Sequence, residues 1–573
     1  MKDNFPMAEK RIAKIVVGLP VEGPFDYFIG DEFLGQVSPG KRVRVMFNQH
    51  KAVGYVVAVE EKSAFKDLNR ILGVLEDHPS LDTQALKLVE ALSAYYGCSL
   101  GQAIEAYLPS LLRKDLFTNL PPVVESIPQN NLTTPSLLIA SSPDERWALL
   151  QPRLRSVLEK GEQVIVLVPQ AELLAGLLKR IQTAFGFEPL VFDKRMKPKE
   201  ELESWIKSKS AQARVIVGTR STVFAPVPRL GMIVIMDEEN PAYKQEQIPH
   251  YHAVNVAHMR AQLSGCAVVC MSAFASVETW HQAKKEKWVV EQAQVKTEAA
   301  VQLIDLNNYN PKKTSIVSPP LMSAIEHTLK GKGKAILYFN RKHFEPKDDE
   351  PKSKRMDVER VELTLRKFFP SARVATYVKE SGKFPSADVV VATAAMMKLR
   401  ESLKVELIGV LAFDEEISHF DFRSTARAMT LVKHLQSMAT SKVVVQTRLI
   451  DNPYVKAVKS HQPALFYRQE LKVRKELHLP PFSHIVHVMV RGDNEAAVIN
   501  QSQEIFQAFS HAKAKSIETF EPQIDVVKTK RIQFQNTIIL KGKNAALILA
   551  LVRKVLSKHK KRKKVIIAVN VDP

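Results

Sequence analysis

Val215-Ile216-Val217-Gly218-Thr219-Arg220-Ser221-Thr222-Val223-Phe224-Ala225-Pro226, then Met232-Ile233-Val234-Ile235-Met236-Asp237-Glu238-Glu239-Asn240, then Tyr243-Lys244-Gln245-Glu246, is the stretch on which the reading of this chain turns. Both apolar runs are short and rich in β-branched residues. Neither alternates with polar residues, so each reads as a strand buried on both faces, the habit of a parallel sheet.

Outward from there the same pattern repeats. Val164–Val168 and Ala267–Cys270 are further strand runs, separated by helical segments Ala171–Phe185 and Val254–Leu263. A second set follows at Ala335–Phe339, Arg373–Thr376, Val389–Ala392, Leu407–Ala412 and Lys442–Gln446. Strand-helix alternation of this kind predicts parallel sheets, here as two α/β lobes in series over 136–295 and 296–455. Residues 10–60 alternate instead: Arg42 and Arg44 point one way, Val43 and Val45 the other, with turns at Gly23-Pro24 and Ser38-Pro39-Gly40. A helix with Leu86, Val89, Leu92 and Tyr96 on one face follows, so 1–115 reads as a small β-rich domain. The polar, proline-bearing segment 116–135 reads as a linker. From 456 to 573 longer helices and fewer strands predict an α+β domain. Glu345–Arg355 is a charged, proline-containing surface loop.

Composition narrows the function. The chain has 573 residues, enough for about three to five domains. Its 82 Lys and Arg against 61 Asp and Glu leave a net charge of +21, which favours a polyanionic partner, most simply nucleic acid. A generally basic or ribosome-associated protein is the blander alternative. Only three cysteines are present, and Cys266 and Cys270 lie in an apolar run, so buried thiols fit better than zinc ligands. Nothing argues for disulfides, and a reducing cytoplasm fits. The first residues lack a signal-peptide core and no apolar run approaches the ~18 residues of a membrane span.

The motifs from Gly218-Thr219-Arg220-Ser221 to Tyr243-Lys244 resemble lobe 1 of a superfamily-2 helicase. The wider chain is most similar to the primosomal replication-restart helicases, the PriA (primosomal protein N′) family. Leu19-Pro20, Pro24-Phe25-Asp26-Tyr27 and Gly40-Lys41-Arg42-Val43-Arg44-Val45-Met46-Phe47 resemble that family's 3′-DNA-end-binding domain. The resemblance implies a pocket for a terminal nucleotide lined by Phe25, Asp26 and Tyr27, with Arg42 and Arg44 nearby. Read as residues alone, Phe25 and Tyr27 are better taken as core aromatics and Asp26 as a turn residue; the resemblance reverses that preference. A family lysine near Ile71 is Asn69 here, beside Arg70. Val168-Pro169-Gln170-Ala171-Glu172 also matches. Thr219 and Arg220 fall where the family contacts the DNA backbone. Tyr243, Lys244 and Tyr251 fall in an aromatic-rich loop that contacts single strands.

Phe339-Asn340-Arg341-Lys342-His343-Phe344, Val358-Glu359-Arg360-Val361-Glu362 and Asp421-Phe422-Arg423 with Arg427 carry the likeness through lobe 2. Phe466-Tyr467, Leu479-Pro480-Pro481-Phe482-Ser483 and Val569-Asn570-Val571-Asp572-Pro573 carry it through the C-terminal domain. The run Lys558–Lys564, with Lys560, Lys561 and Arg562, reads either as solvated surface or as phosphate contact.

The departures agree with one another. An ATPase of this family needs a glycine-rich loop ending in Gly-Lys-Thr/Ser. Its counterpart here, Ser136-Leu137-Leu138-Ile139-Ala140-Ser141-Ser142-Pro143-Asp144-Glu145-Arg146-Trp147, has neither glycine nor lysine. The family's arginine fingers are replaced by His434-Leu435-Gln436-Ser437-Met438-Ala439-Thr440-Ser441. The winged-helix and paired-cysteine zinc modules have no counterpart. Asp237 and Glu238, which manage Mg²⁺ and water in the family, are vestigial on this reading. The resemblance therefore implies DNA forks, single strands and 3′ ends as ligands, and replication-restart or replisome proteins as partners. ATP, Mg²⁺ and zinc, the family's cofactors, are not expected. An active ATP-dependent 3′-5′ helicase with a divergent nucleotide site, and a general RNA or ribosome binder, are the rival readings.

Overall fold

Period-two alternation closes the N-terminal strands into a barrel. In the computed structural model, which describes residues 11–573 apart from 123, 125–132, 194, 294–297, 310–315, 341–357, 419–420, 460–462, 513–515, 526–533 and 559–563, these strands are β1 (Ile12–Val17), β2 (Phe25–Phe28), β3 (Arg42–Phe47), β4 (His50–Glu60) and β5 (Asn69–Val74), in the closed order β1-β2-β5-β3-β4. Ala13, Ile15, Tyr27, Val43, Val45, Val56 and Ile71 fill it. The turn at Gly40 needs glycine: its φ is +86° and a Cβ would lie 1.9 Å from the Leu81 carbonyl oxygen. Helix α1 (Thr83–Tyr96) starts where the Asp82 carboxylate accepts from Ala85 N–H and stops at Gly97, φ 64°. Its buried face is Ala85, Leu88, Val89, Leu92 and Tyr96, one residue off the expected stripe at its start. Helix α2 (Leu100–Tyr107) opens with a Ser99–Gln102 capping box.

The α/β portion follows the expected alternation closely. Its elements are β6 (Ser136–Ile139), α3 (Pro143–Glu159), β7 (Gln163–Leu167), α4 (Leu174–Phe185), β8 (Leu190–Val191), α5 (Pro198–Lys209), β9 (Val215–Gly218), β10 (Leu230–Met236), α6 (Ala253–Ser264), β11 (Ala267–Ser272), α7 (Val277–Lys285) and β12 (Val289–Gln292). Strands β11-β10-β7-β9-β8 are neighbours in that order, and β12 pairs with β6. The registers of β10 on β7 and β7 on β9 are parallel.

The second set comprises β13 (Ala300–Asp305), α8 (Pro319–Lys330), β14 (Ala335–Tyr338), α9 (Val358–Phe368), β15 (Val374–Tyr377), β16 (Val389–Ala392), β17 (Val405–Val410), α10 (Phe413–Ile417), α11 (Ser424–Met438), β18 (Ala439–Thr447), α12 (Pro453–Lys459) and α13 (Pro463–Glu476). Its six strands lie in the order β13-β18-β17-β14-β16-β15 with parallel registers. Strand β13 has no counterpart in the sequence reading, because its exposure alternates and Gln302 interrupts the apolar run. The charged loop Glu345–Arg355 lies outside the described residues.

The C-terminal sheet is β19 (His484–Gly492), α14 (Glu495–His511), β20 (Ile517–Asp525), β21 (Phe534–Gly542), α15 (Ala545–Leu556) and β22 (Val565–Val571), ordered β20-β21-β19-β22 with antiparallel registers. The chain thus has the expected α/β class: two sets of parallel strands with helices, a small N-terminal β domain and a C-terminal α+β domain. Its contacts fall into two compact units. One comprises 1–136, 153–270 and 477–573; the other comprises 137–152 and 271–476, so α12 and α13 group with the latter. Among the described residues no helix is long and apolar enough to cross a membrane.

Candidate nucleic-acid interface

Strand β2 separates the three residues expected to share a pocket. Phe25 and Tyr27 face the barrel: Phe25 meets Phe47 edge-on at 5.1 Å, and the buried Tyr27 donates its hydroxyl to the Met46 carbonyl at 2.9 Å. Burial raises the Tyr27 pKa. Asp26 points the other way, as alternation requires. Its carboxylate accepts from Lys14 Nζ at 2.9 Å and from Ser63 Oγ, with only 4% of the side chain exposed. Burial raises its pKa, but the bonds from Ser63 and Lys14 outweigh that and the net shift is downward. The aromatic neighbour on the Asp26 face is Phe28, whose ring carries the Arg70 guanidinium at 5.5 Å. Sequence reasoning missed this pair. The alternation of β2 could have found it, since residue 28 shares a face with residue 26.

Arg42 corrects an expectation. It is fully buried: Nε donates to Glu76 at 2.6 Å, and the guanidinium also donates to the Leu112 and Leu75 carbonyls at 2.9 and 3.1 Å. It faces away from the barrel core, as read, but the segment after α2 covers it, so it meets no phosphate. Arg44 is at the surface and pairs with Asp115 at 2.7 Å.

The loop around β9 and β10 is equally committed. Gly218 is required, since a Cβ would lie 1.9 Å from the Phe192 carbonyl oxygen. Thr219 caps the short turn that follows, without a side-chain cap bond. Arg220 donates to the Ala242 and Lys244 carbonyls at 2.9 and 3.2 Å. Tyr243 is wholly buried and donates to the Met236 and Leu167 carbonyls at 2.6 and 3.0 Å. Tyr251 is buried against Phe224 at 4.9 Å. Lys244 Nζ donates to the Val571 and Asp572 carbonyls at 2.5 and 3.1 Å. Tyr243 and Tyr251 are therefore not exposed stacking faces, a second correction. The aromatic pattern alone does not distinguish a ring that packs from one that waits for a base. Asp237 and Glu238 are buried at the end of β10, Asp237 with a φ of +50°. Lys560, Lys561 and Arg562 lie outside the described residues.

The phosphate-loop counterpart follows β6. The backbone N–H groups of Ser141 and Ser142 donate to one carboxylate oxygen of Glu145, at 3.2 and 3.1 Å, and Ser142 Oγ accepts from Glu145 N–H at 3.2 Å. The amides that would cradle a phosphate thus hold a side chain of their own helix. Arg146 is buried and reaches Glu401 at 3.3 Å. Ser141 Oγ also donates to Glu298 at 3.2 Å, and Lys433 of α11 meets the other oxygen of Glu298 at 2.7 Å. Arg423 pairs with Glu278 at 3.1 Å and Arg427 with Asp421 at 2.7 Å. All three cysteines are buried thiols, Cys98 with its pKa pushed up by burial to about 12.

The chain thus combines parallel α/β sheets with a closed N-terminal barrel and a C-terminal antiparallel sheet. The family model for the PriA 3′ DNA-binding domain matches residues 14–109, and that for the primosomal protein N C-terminal domain matches 475–573. Three proteins described as replication restart protein PriA align along much of the chain. That of Rickettsia conorii is 23% identical over 88% of this chain and 91% of its own length. That of Treponema pallidum is 21% identical over 98% and 99%. That of Bacillus subtilis is 26% identical over 73% and 61%. Both end domains thus match PriA family models, and the chain is similar to PriA proteins along most of its length.

Proposed function

We propose that this chain binds forked and 3′-ended DNA in replication restart, and does so without ATP-driven unwinding. DNA binding is supported by the barrel's match to a 3′ DNA-binding domain and by the +21 charge. The second half of the reading rests on Glu145. An internal carboxylate on the Ser141 and Ser142 amides puts negative charge where a nucleotide's phosphates would need positive potential. With the arginines at 434–441 also missing, the transition state loses a contribution of about 10³–10⁵ in rate. The protein then acts as a platform, and replication-restart or replisome proteins are its expected partners. DNA-stimulated ATP hydrolysis by the purified chain is the test. Turnover at background with fork binding intact is expected; robust turnover abolished by Asp237→Ala would identify an active helicase instead.

A further inference from the structure

Glu298 sits at a junction that an ATP-driven frame leaves for its nucleotide. One carboxylate oxygen accepts from Ser141 Oγ at 3.2 Å, in the loop between β6 and α3. The other accepts from Lys433 Nζ at 2.7 Å, on α11. The Glu298–Lys433 pair is largely withdrawn from water, with side-chain exposures of 13% and 17%. It borders a cavity of about 410 Å³ that Ile139, Phe274 and Tyr467 also line. Lys433 immediately precedes the stretch 434–441 in which the expected arginines are missing. In nucleotide-driven enzymes of this mechanism the terminal phosphate is held from one side by its loop and from the other by an arginine. The bridge therefore exists only while nucleotide is bound. Here a carboxylate of the chain has the same sign and spans the same two kinds of element.

We propose that Glu298 is a built-in surrogate for the nucleotide's terminal phosphate. It ties the loop after β6 to helix α11 through Ser141 and Lys433 in every state of the protein. The inference rests on the non-hydrolysing reading and adds what replaced the nucleotide. A tethered carboxylate does not dissociate, so the coupling between loop and helix does not depend on ATP. Glu145 strengthens the exclusion, because a polyphosphate entering this loop would meet two carboxylates.

Amide hydrogen exchange on the full chain tests the bridge, read in peptides covering 137–142 and 424–438. Glu298→Gln and Lys433→Met should each speed exchange in both segments, roughly tenfold. The charge-reversed pair Glu298→Lys with Lys433→Glu should restore most of the protection. Faster exchange confined to one of the two segments, or a reversed pair no better than the single variants, would overturn the proposal. So would slower exchange in either wild-type segment on adding magnesium ATP, since the place would then be open to nucleotide. Should a charge variant fail to fold, Ser141→Ala is read in its place: faster exchange across 424–438 supports the bridge, and unchanged exchange there overturns it. ATP hydrolysis by the wild type is scored separately. It would defeat the non-hydrolysing reading, whereas the exchange coupling judges Glu298.

Discussion

At the scale of single residues, Arg42 and Asp26 invite opposite experiments. Arg42 and Glu76 are both fully buried, and a buried pair that loses one member leaves an uncompensated charge. Arg42→Met should destabilise the protein by about 3–5 kcal/mol in denaturant unfolding. The surviving folded fraction should bind DNA as before; a selective loss of DNA affinity at unchanged stability would return Arg42 to the interface. Asp26 is held by Lys14 and Ser63 on the face it shares with Phe28. If a 3′ terminus docks on that face, Asp26→Ala should weaken binding to forks with an accessible 3′ end by about 1–2 kcal/mol. Blocked ends should be bound nearly unchanged. Removing a negative charge would otherwise tighten both, so equal or higher affinity for both substrates would remove Asp26 from the site.

Among the elements, α3 begins on reciprocal bonds between Ser142 and Glu145. Glu145 caps the loop in the manner of an N-terminal helix cap, and such caps contribute about 0.5–2 kcal/mol. Glu145→Ala should therefore lower thermal stability by that order and gain no ATPase activity, because the missing lysine and arginines are not restored. A variant that hydrolyses ATP would show that the carboxylate alone had silenced the site. The strands of this region were legible as sequence because their runs are continuous and β-branched, as β7, β9, β10 and β14–β18 bear out. The alternating β13 was not. The site was less legible than the fold. A charged or aromatic residue announces its chemistry but not its neighbour, and Arg42, Tyr243 and Tyr251 all proved to be spent on internal contacts. Glu145 closes a Ser-x-x-Glu capping signature, Ser142 to Glu145, that the sequence reading passed over, whereas Glu298 carried no motif and its meaning lies in what it reaches.

Across the whole molecule, charge and pH act on identifiable places. DNA affinity should fall with salt, with a log–log slope of about 0.7–0.9 per phosphate neutralised; affinity flat across low to moderate salt would assign the +21 charge to another purpose. Two histidines set opposite limits on stability. His484, hydrogen-bonded to Asp572 at 2.9 Å, has a raised pKa because of that carboxylate. Its contribution is complete below its unfolded value near 6.5 and is lost as pH rises through the folded one. His250 is held down to about 4, first by burial and then by Arg491 and Lys244, so stability declines as pH falls from about 6.5 towards 4. Thermal midpoints should peak between these limits. His484→Asn should flatten the alkaline limb and His250→Asn the acid one, and a profile flat in the wild type would refute both assignments. The division into compact units bears on how the protein is made. The chain passes between them at 136/137, 152/153, 270/271 and 476/477. A ribosome releasing it from the N-terminus cannot finish the first unit until 477–573 emerges. The barrel and the strands of 153–270 must therefore wait, with part of their final partner surface unmade, while 271–476, the larger part of the second unit, is synthesised.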